Sequence, residues 1–288
     1  DLGNLKEAEL STRKAIQIKP SLENAHLNLG GILKDLGNMQ EAELSTRKAI
    51  EINPKSDDAH TNLGIILNDI GKSKEAEVSI RKAIEINPQS EDAKYNLSLI
   101  LLKSYNFQEG FIRYESRWKR KGEGKPFITS KPDWEPTNRG RVLLWGEQGI
   151  GDEILFASLI PELVKLVDQL IVKVDKRLIP LFKRSLDKKI IYIKKNQIVE
   201  ETQYDSQIAM GSVIKYLRKD KESFKKGKKK YLKVNERKST IFKENLKDLT
   251  YEKIIGISWK STTKLDKGIN LSLEKFLLGI YSTKIKFL

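Results

Sequence analysis

AELSTRKAIQIKP at residues 8–20 returns as AELSTRKAIEINP at 42–54 and as AEVSIRKAIEINP at 76–88. Gly3, Gly37 and Gly71 keep the same 34-residue step, as do Pro20, Pro54 and Pro88. A fixed period of this length marks a solenoid built from one repeated unit, here a pair of antiparallel helices. Leu29 and Leu33, with Leu63 and Leu67 one period later, lie four apart and fill one helical face. Gly30, Ala42 and Ala49, and their successors Gly64, Ala76 and Ala83, are small where paired helices approach closely. Gly37 and Gly71 fall just past the first helix of a pair, where a left-handed cap suits glycine. Pro54 ends the second helix because it cannot donate the next backbone bond, and Ser56 or Asp57 can cap the helix that follows.

A fourth unit begins near Ser90 and departs from the pattern. Ser98 stands for the glycine, Gly110 for the alanine, and Tyr114 and Trp118 add bulk. NFQEGFIRYESRW (106–118) therefore reads as a terminal repeat whose outer face packs on something new. His26 and His60 share one repeat position, which points to a recurring surface or groove contact rather than to catalysis. The period and its residues resemble the tetratricopeptide repeat. That resemblance implies a concave groove holding a peptide or partner protein, beside the plain role of a stable scaffold.

Composition bounds the rest. The chain has 288 residues, 39% of them hydrophobic and 32% charged, which suits two folded domains rather than a disordered chain. No apolar run approaches the ~18–20 residues of a membrane span, so none is expected. The absence of cysteine excludes disulfides, thiolate nucleophiles and cysteine-ligated zinc. With only two histidines, no metal site is expected either. These features are compatible with the cytoplasm, the expected location. The net charge of +15 would suggest an anionic partner, but it is unevenly spread. Residues 1–122 carry 19 basic and 18 acidic side chains, whereas 123–288 carry 35 and 21. The densest run, KDKESFKKGKKKYLK (219–233), is lysine-rich and poor in aromatics. A solvated loop explains it better than nucleic-acid binding, which favours arginine forks and stacking rings.

Residues 119–140 hold Gly122, Gly124, Pro126, Pro132, Pro136 and Gly140 and read as a linker, with Trp134 anchoring it to a neighbouring surface. RVLLW (141–145) reads as a strand, GEQGIGDE (146–153) as a glycine-bearing loop, and 154–167 as an apolar helix. Further strands are expected at 169–174, 189–193, 206–210 and 254–259, with a helix near 178–186. This succession opens a Rossmann-like α/β domain. The loop is neither the dinucleotide fingerprint nor a P-loop, since no third glycine and no Gly-Lys-Ser/Thr follow. It places Asp152 and Glu153 at a helix N-terminus. There they can serve as capping carboxylates, or one can act as a general base where open α/β sheets bind ligands.

Four separated stretches carry a second resemblance: FQEGFIRYESRW (107–118), WGEQGIGDEILFASLIPEL (145–163), YDSQIAMGSVIKYLRK (204–219), and IIGISWKS (254–261) followed by NLSLEKF (270–276). In order, they resemble a bacterial glycosyltransferase-like domain similar to the heptosyltransferases, of GT-B architecture with two Rossmann halves. The resemblance implies that Asp152 deprotonates an acceptor hydroxyl on a loop of Glu147, Gln148, Gly149 and Gly151. It implies that Trp259, Lys260 and Ser261 meet a nucleotide-sugar donor, a substrate rather than a cofactor, with no obligatory metal. The expected organisation is a repeat array at 1–118, a linker at 119–140, an acceptor-side half at 141–250 and the start of a donor-side half at 251–288. The chain is expected to be a fragment that is inactive alone. The alternative is a non-catalytic repeat scaffold for protein–protein interaction.

Overall fold

The computed structural model describes residues 2–120, 124–227 and 230–245. Seven helices come first: α1 (Leu2–Ile18), α2 (Glu23–Asp35), α3 (Met39–Ile52), α4 (Asp57–Asp69), α5 (Ser73–Ile86), α6 (Glu91–Lys103) and α7 (Phe107–Tyr114). A 3₁₀ helix at Glu115–Lys119 follows directly. Each helix packs on the next in sequence, and α2, α4 and α6 are also neighbours of one another. These three therefore line one face of the solenoid.

The recurring residues account for the geometry. Leu33, Ala42, Ala49, Leu67, Ala76 and Ala83 are buried. A β-carbon on Gly64 would run into the Ile80 side chain, and one on Gly30 into Thr46, so the paired helices touch where glycine stands. Gly37 and Gly71 take φ of +84°, the left-handed cap expected of them. Ser56 and Ser90 cap α4 and α6, their hydroxyls accepting from the backbone N–H of Ala59 and Ala93. Asp57 does different work: its carboxylate accepts from Asn87 Nδ2 at 2.7 Å, as Glu23 accepts from Asn53 Nδ2 at 3.0 Å. An ion-pair ladder repeats at the same step, with Arg13 on Glu41, Arg47 on Glu75 and Arg81 on Glu109.

The histidines make the recurring surface contact expected of them, not the groove contact. His26 and His60 each donate from Nε2 to the carbonyl of the proline six residues earlier, at 2.9 and 3.2 Å. They tie the turn to the helix that follows it, which is a local structural task rather than a groove contact.

After the array comes a four-stranded parallel sheet of order β3-β2-β1-β4, made of β1 (Arg141–Trp145), β2 (Gln169–Val174), β3 (Ile191–Lys194) and β4 (Ser206–Ala209). β1 pairs with β2 from Arg141 opposite Gln169 and with β4 from Val142 opposite Ser206. β3 starts two residues later than expected. Its backbone pairing with β2 begins at Ile191, while Lys189 N–H is taken by the Asp187 carboxylate in a turn. The apolar stretch after β1 is two helices, α8 (Ile150–Ala157) and α9 (Ile160–Leu163), with Pro161 at the start of the second. Proline cannot continue the first helix but suits the first turn of a new one. α10 (Ile179–Ser185) links β2 to β3, and α11 (Ile214–Leu217) and α12 (Lys221–Lys225) follow β4.

Both faces of the sheet are covered, as parallel sheets require. Val142, Leu144, Leu170 and Val172 face the helices, and Leu143 and Ile171 face Val199, Tyr204 and Phe127. The segment expected as a plain linker is thus part of the fold. Phe127 covers one face, and Trp134 is fully buried on the other, donating from Nε1 to the Asn138 carbonyl at 2.8 Å. Asp133 also bridges Gln207 in parallel at the edge of β4. The described residues up to Lys233 form one compact unit; the helix Glu236–Asn245, α13, belongs to another. Among the described residues no helix is long and apolar enough to cross a membrane.

Candidate functional site

The glycine loop leaves the carboxyl end of β1, where open α/β sheets present their ligand sites. Its carboxylates have separate fates. Glu147 is 2% exposed and accepts from Arg117 Nε at 2.9 Å, from Arg117 Nη2 at 3.1 Å and from Gly211 N–H at 2.7 Å. A β-carbon at Gly211 would collide with that carboxylate, so glycine is needed there. Glu153 is equally buried, accepting from the Lys195 ammonium at 3.0 Å and from Asp175 N–H at 2.8 Å. A β-carbon at Gly146 would come within 2.5 Å of its Oε1.

Asp152 is partly exposed, and its Oδ2 accepts from Gly149 N–H at 3.2 Å. This is the reach-back from the third helical residue to the capping residue, so Asp152 holds the start of α8. Its remaining oxygen makes no hydrogen bond among the described residues. Gln148 is exposed; its side-chain amide donates to Tyr114 Oη at 3.3 Å, and its carbonyl accepts from Lys195 at 3.0 Å. Around Gly151 the space is open. Trp259, Lys260 and Ser261 lie outside the described residues.

Two clefts adjoin the carboxyl edge of the sheet. The larger, of about 500 Å³, lies past β2 and β3 and is lined by Asp175, Lys176, Arg177, Lys195 and Asn196. Arg177 grips Asp175 through Nε and Nη2, both at 2.9 Å, and holds that carboxyl well below the usual aspartate range. The smaller, of about 110 Å³, lies between the ends of β1 and β4, where the strand order reverses. The end of the array closes over it: Trp118 packs on Trp145 with ring centroids 5.2 Å apart.

Arg117, which the sequence reading passed over, makes this joint. It is 5% exposed and, besides Glu147, bonds Glu115 Oε1 at 2.6 Å and Ser212 Oγ at 2.7 Å. Burial alone would lower its pKa, but the two glutamates raise it, so the charge is retained. Glu115 also accepts from Lys215 at 2.8 Å; burial pushes its carboxyl up, and Arg117 and Lys215 together bring it below the usual range. The signal for such a residue is weak in a sequence, since only its neighbours Tyr114, Glu115 and Trp118 mark the position.

Residues 23–56 and 46–78 match two family models described as tetratricopeptide repeat. The helical solenoid is a tetratricopeptide repeat array. A curated relative, Protein FlbA of Caulobacter vibrioides, is 28% identical over 171 residues, which is 53% of this chain. The chain spans only 28% of the length of that relative. Among solved structures, MamA is 24% identical over 41% of this chain and 70% of its own, with a TM-score of 0.38. An O-GlcNAc transferase mutant of Thermobaculum terrenum is 20% identical over 60% of this chain and 34% of its own, with a TM-score of 0.40. Among the described residues no group of three or more histidines or carboxylates is arranged to hold a metal ion.

Proposed function

We propose that this chain is a protein-interaction module whose repeat groove holds a segment of a partner polypeptide beside the α/β part. One observation carries this reading: α2, α4 and α6 run side by side and leave one stripe of each helix exposed. Stacked repeats of this kind use that surface for extended partners. Display of a random peptide library against the chain tests it. Peptides enriched on the wild type and lost from an Ile65→Arg variant, in the middle of the stripe, are the expected result.

In the finer reading the α/β part is the acceptor-side half of a GT-B glycosyltransferase. A sugar passes from a nucleotide donor to a hydroxyl of the molecule held by the repeats, with Asp152 as general base. Three features support this: the strand order β3-β2-β1-β4 is that of the first four strands of a doubly wound dinucleotide fold, Asp152 follows the carboxyl end of β1, and one of its oxygens makes no hydrogen bond among the described residues. Trp259, Lys260 and Ser261 would meet the donor phosphates. The test is sugar transfer by the full-length protein with Asp152→Asn, for which a fall of about 10²–10⁴ in kcat is expected. Unchanged turnover removes Asp152 from the mechanism.

The bond from Gly149 N–H to Asp152 favours a second reading, a non-catalytic scaffold in which Asp152 is only a cap. A full-length protein that binds its partner and turns over no nucleotide sugar belongs to that class.

A further inference from the structure

The exposed stripe on the inner helices has a strong sign. On α2 it holds Asn24, Asn28 and Asp35, on α4 Asp58, Asn62, Ile65 and Asp69, and on α6 Asp92, Asn96, Leu99 and Lys103. Four aspartates thus face a single lysine. Lys103 reaches across to the Asn68 carbonyl at 3.2 Å, which shows that these edges of α4 and α6 adjoin. Burial, then Asp57, Asp92 and Glu23, push the Asp58 carboxyl up, and it forms no ion pair among the described residues.

At the end of the stripe the chain supplies an occupant of its own. Arg120, just beyond the 3₁₀ helix, donates from Nε to Asp92 Oδ1 at 2.6 Å. Its guanidinium lies over the Tyr95 ring, 4.3 Å from the centroid. A backward step of 34 residues carries Asp92 onto Asp58 and Tyr95 onto the buried Thr61. The carboxylate of the Arg120 site therefore recurs one repeat along, without the ring and, among the described residues, without a cation paired to it.

We infer that the groove takes an extended, arginine-bearing segment of a partner protein, one guanidinium of which pairs with Asp58 as Arg120 pairs with Asp92. The inference rests on the interaction reading above and specifies its partner. Charge complementarity selects the partner: a carboxylate among carboxylates repels acidic segments and gains a charge-assisted bond from a guanidinium. The guanidinium also relieves the repulsion that the aspartates exert on one another.

The test is fluorescence anisotropy of the whole chain with a labelled Gly/Ser peptide carrying two arginines, and with its glutamine and glutamate twins. The arginine peptide is expected to bind at least about tenfold more tightly than the glutamine twin, and the glutamate twin not to bind. Asp58→Asn is expected to weaken the arginine peptide about tenfold, with an unchanged helical circular dichroism spectrum. Arg120→Ala, which vacates Asp92, is expected to strengthen it. Equal binding of the arginine and glutamine peptides, or Asp58→Asn without effect, overturns the inference. If the twins bind as well as the arginine peptide and Ile65→Arg abolishes all binding, the groove reading stands and the arginine inference alone falls. No binding by any of the three overturns the inference, and the library display then decides the groove reading separately.

Discussion

At the scale of single residues the strongest commitments are ionic. Arg117 and Glu147 are 5% and 2% exposed, so neither charge has water to fall back on. Removing one partner of such a pair costs about 3–5 kcal/mol, much of it the penalty for the charge left behind. Arg117→Met is expected to lose about that much in urea unfolding, and Arg117→Met with Glu147→Leu to lose less than the single change. The Arg81–Glu109 pair is different in kind. It is bidentate, at 3.0 and 2.7 Å, and part-exposed, and the Arg81 guanidinium holds Glu109 down at about 2. A carboxyl with a lowered folded pKa adds stability above its unfolded value, and that stability fades as pH falls through the folded value. The pair's contribution should therefore be complete at neutral pH and disappear between about pH 4.3 and about pH 2. Urea midpoints across that window, with Glu109→Gln flattening the profile, check this.

At the scale of elements the repeat separates two uses of glycine. Gly71 has open space and needs its positive φ, whereas Gly64 has an ordinary backbone and no room. Gly71→Ala should cost about 1–2 kcal/mol from backbone strain alone. Gly64→Ala should cost about 1–3 kcal/mol from overpacking on Ile80 and be partly rescued by Ile80→Val, where Gly71→Ala should not. The fourth unit puts Tyr105 at the position of Gly37 and Gly71, with φ of 63°. Tyr105→Gly should relieve about 1 kcal/mol of that strain, offset in part by losing the ring's contacts with Phe107 and the Lys221 ammonium. Thermal unfolding would show the gain. These elements were legible because the period repeats every constraint several times. The array, its caps and the small residues at its contacts follow from spacing alone. Asn53 and Asn87 were not legible, because an asparagine before proline reads as a turn residue and its reach to Glu23 or Asp57 needs the folded pair. Nor was the break at Ser158, where one apolar pattern spans two helices.

At the scale of the whole molecule the least legible feature was the joint. Glycines and prolines at 119–140 signal irregular chain equally well whether it dangles or packs, and only Phe127 and Trp134 hint at packing. In the glycine loop the sequence could not tell which carboxylates are structural, since Glu147, Asp152 and Glu153 differ only in what they meet across the fold. The joint predicts cooperativity. Far-ultraviolet circular dichroism, dominated by the array, and the fluorescence of the tryptophans buried at the joint and sheet should report one coincident urea transition. Separate transitions for the two probes would show that the joint does not couple the array to the sheet.

The same joint turns the array into a measuring stick. Its units are of equal length and its end is fixed to the sheet, so the proposed cargo, if gripped on the groove, would stand a whole number of steps from the glycine loop. Inserting or deleting one 34-residue unit would move that cargo by one graduation and leave every contact at the joint intact. Reach, in a molecule built this way, is adjusted by counting.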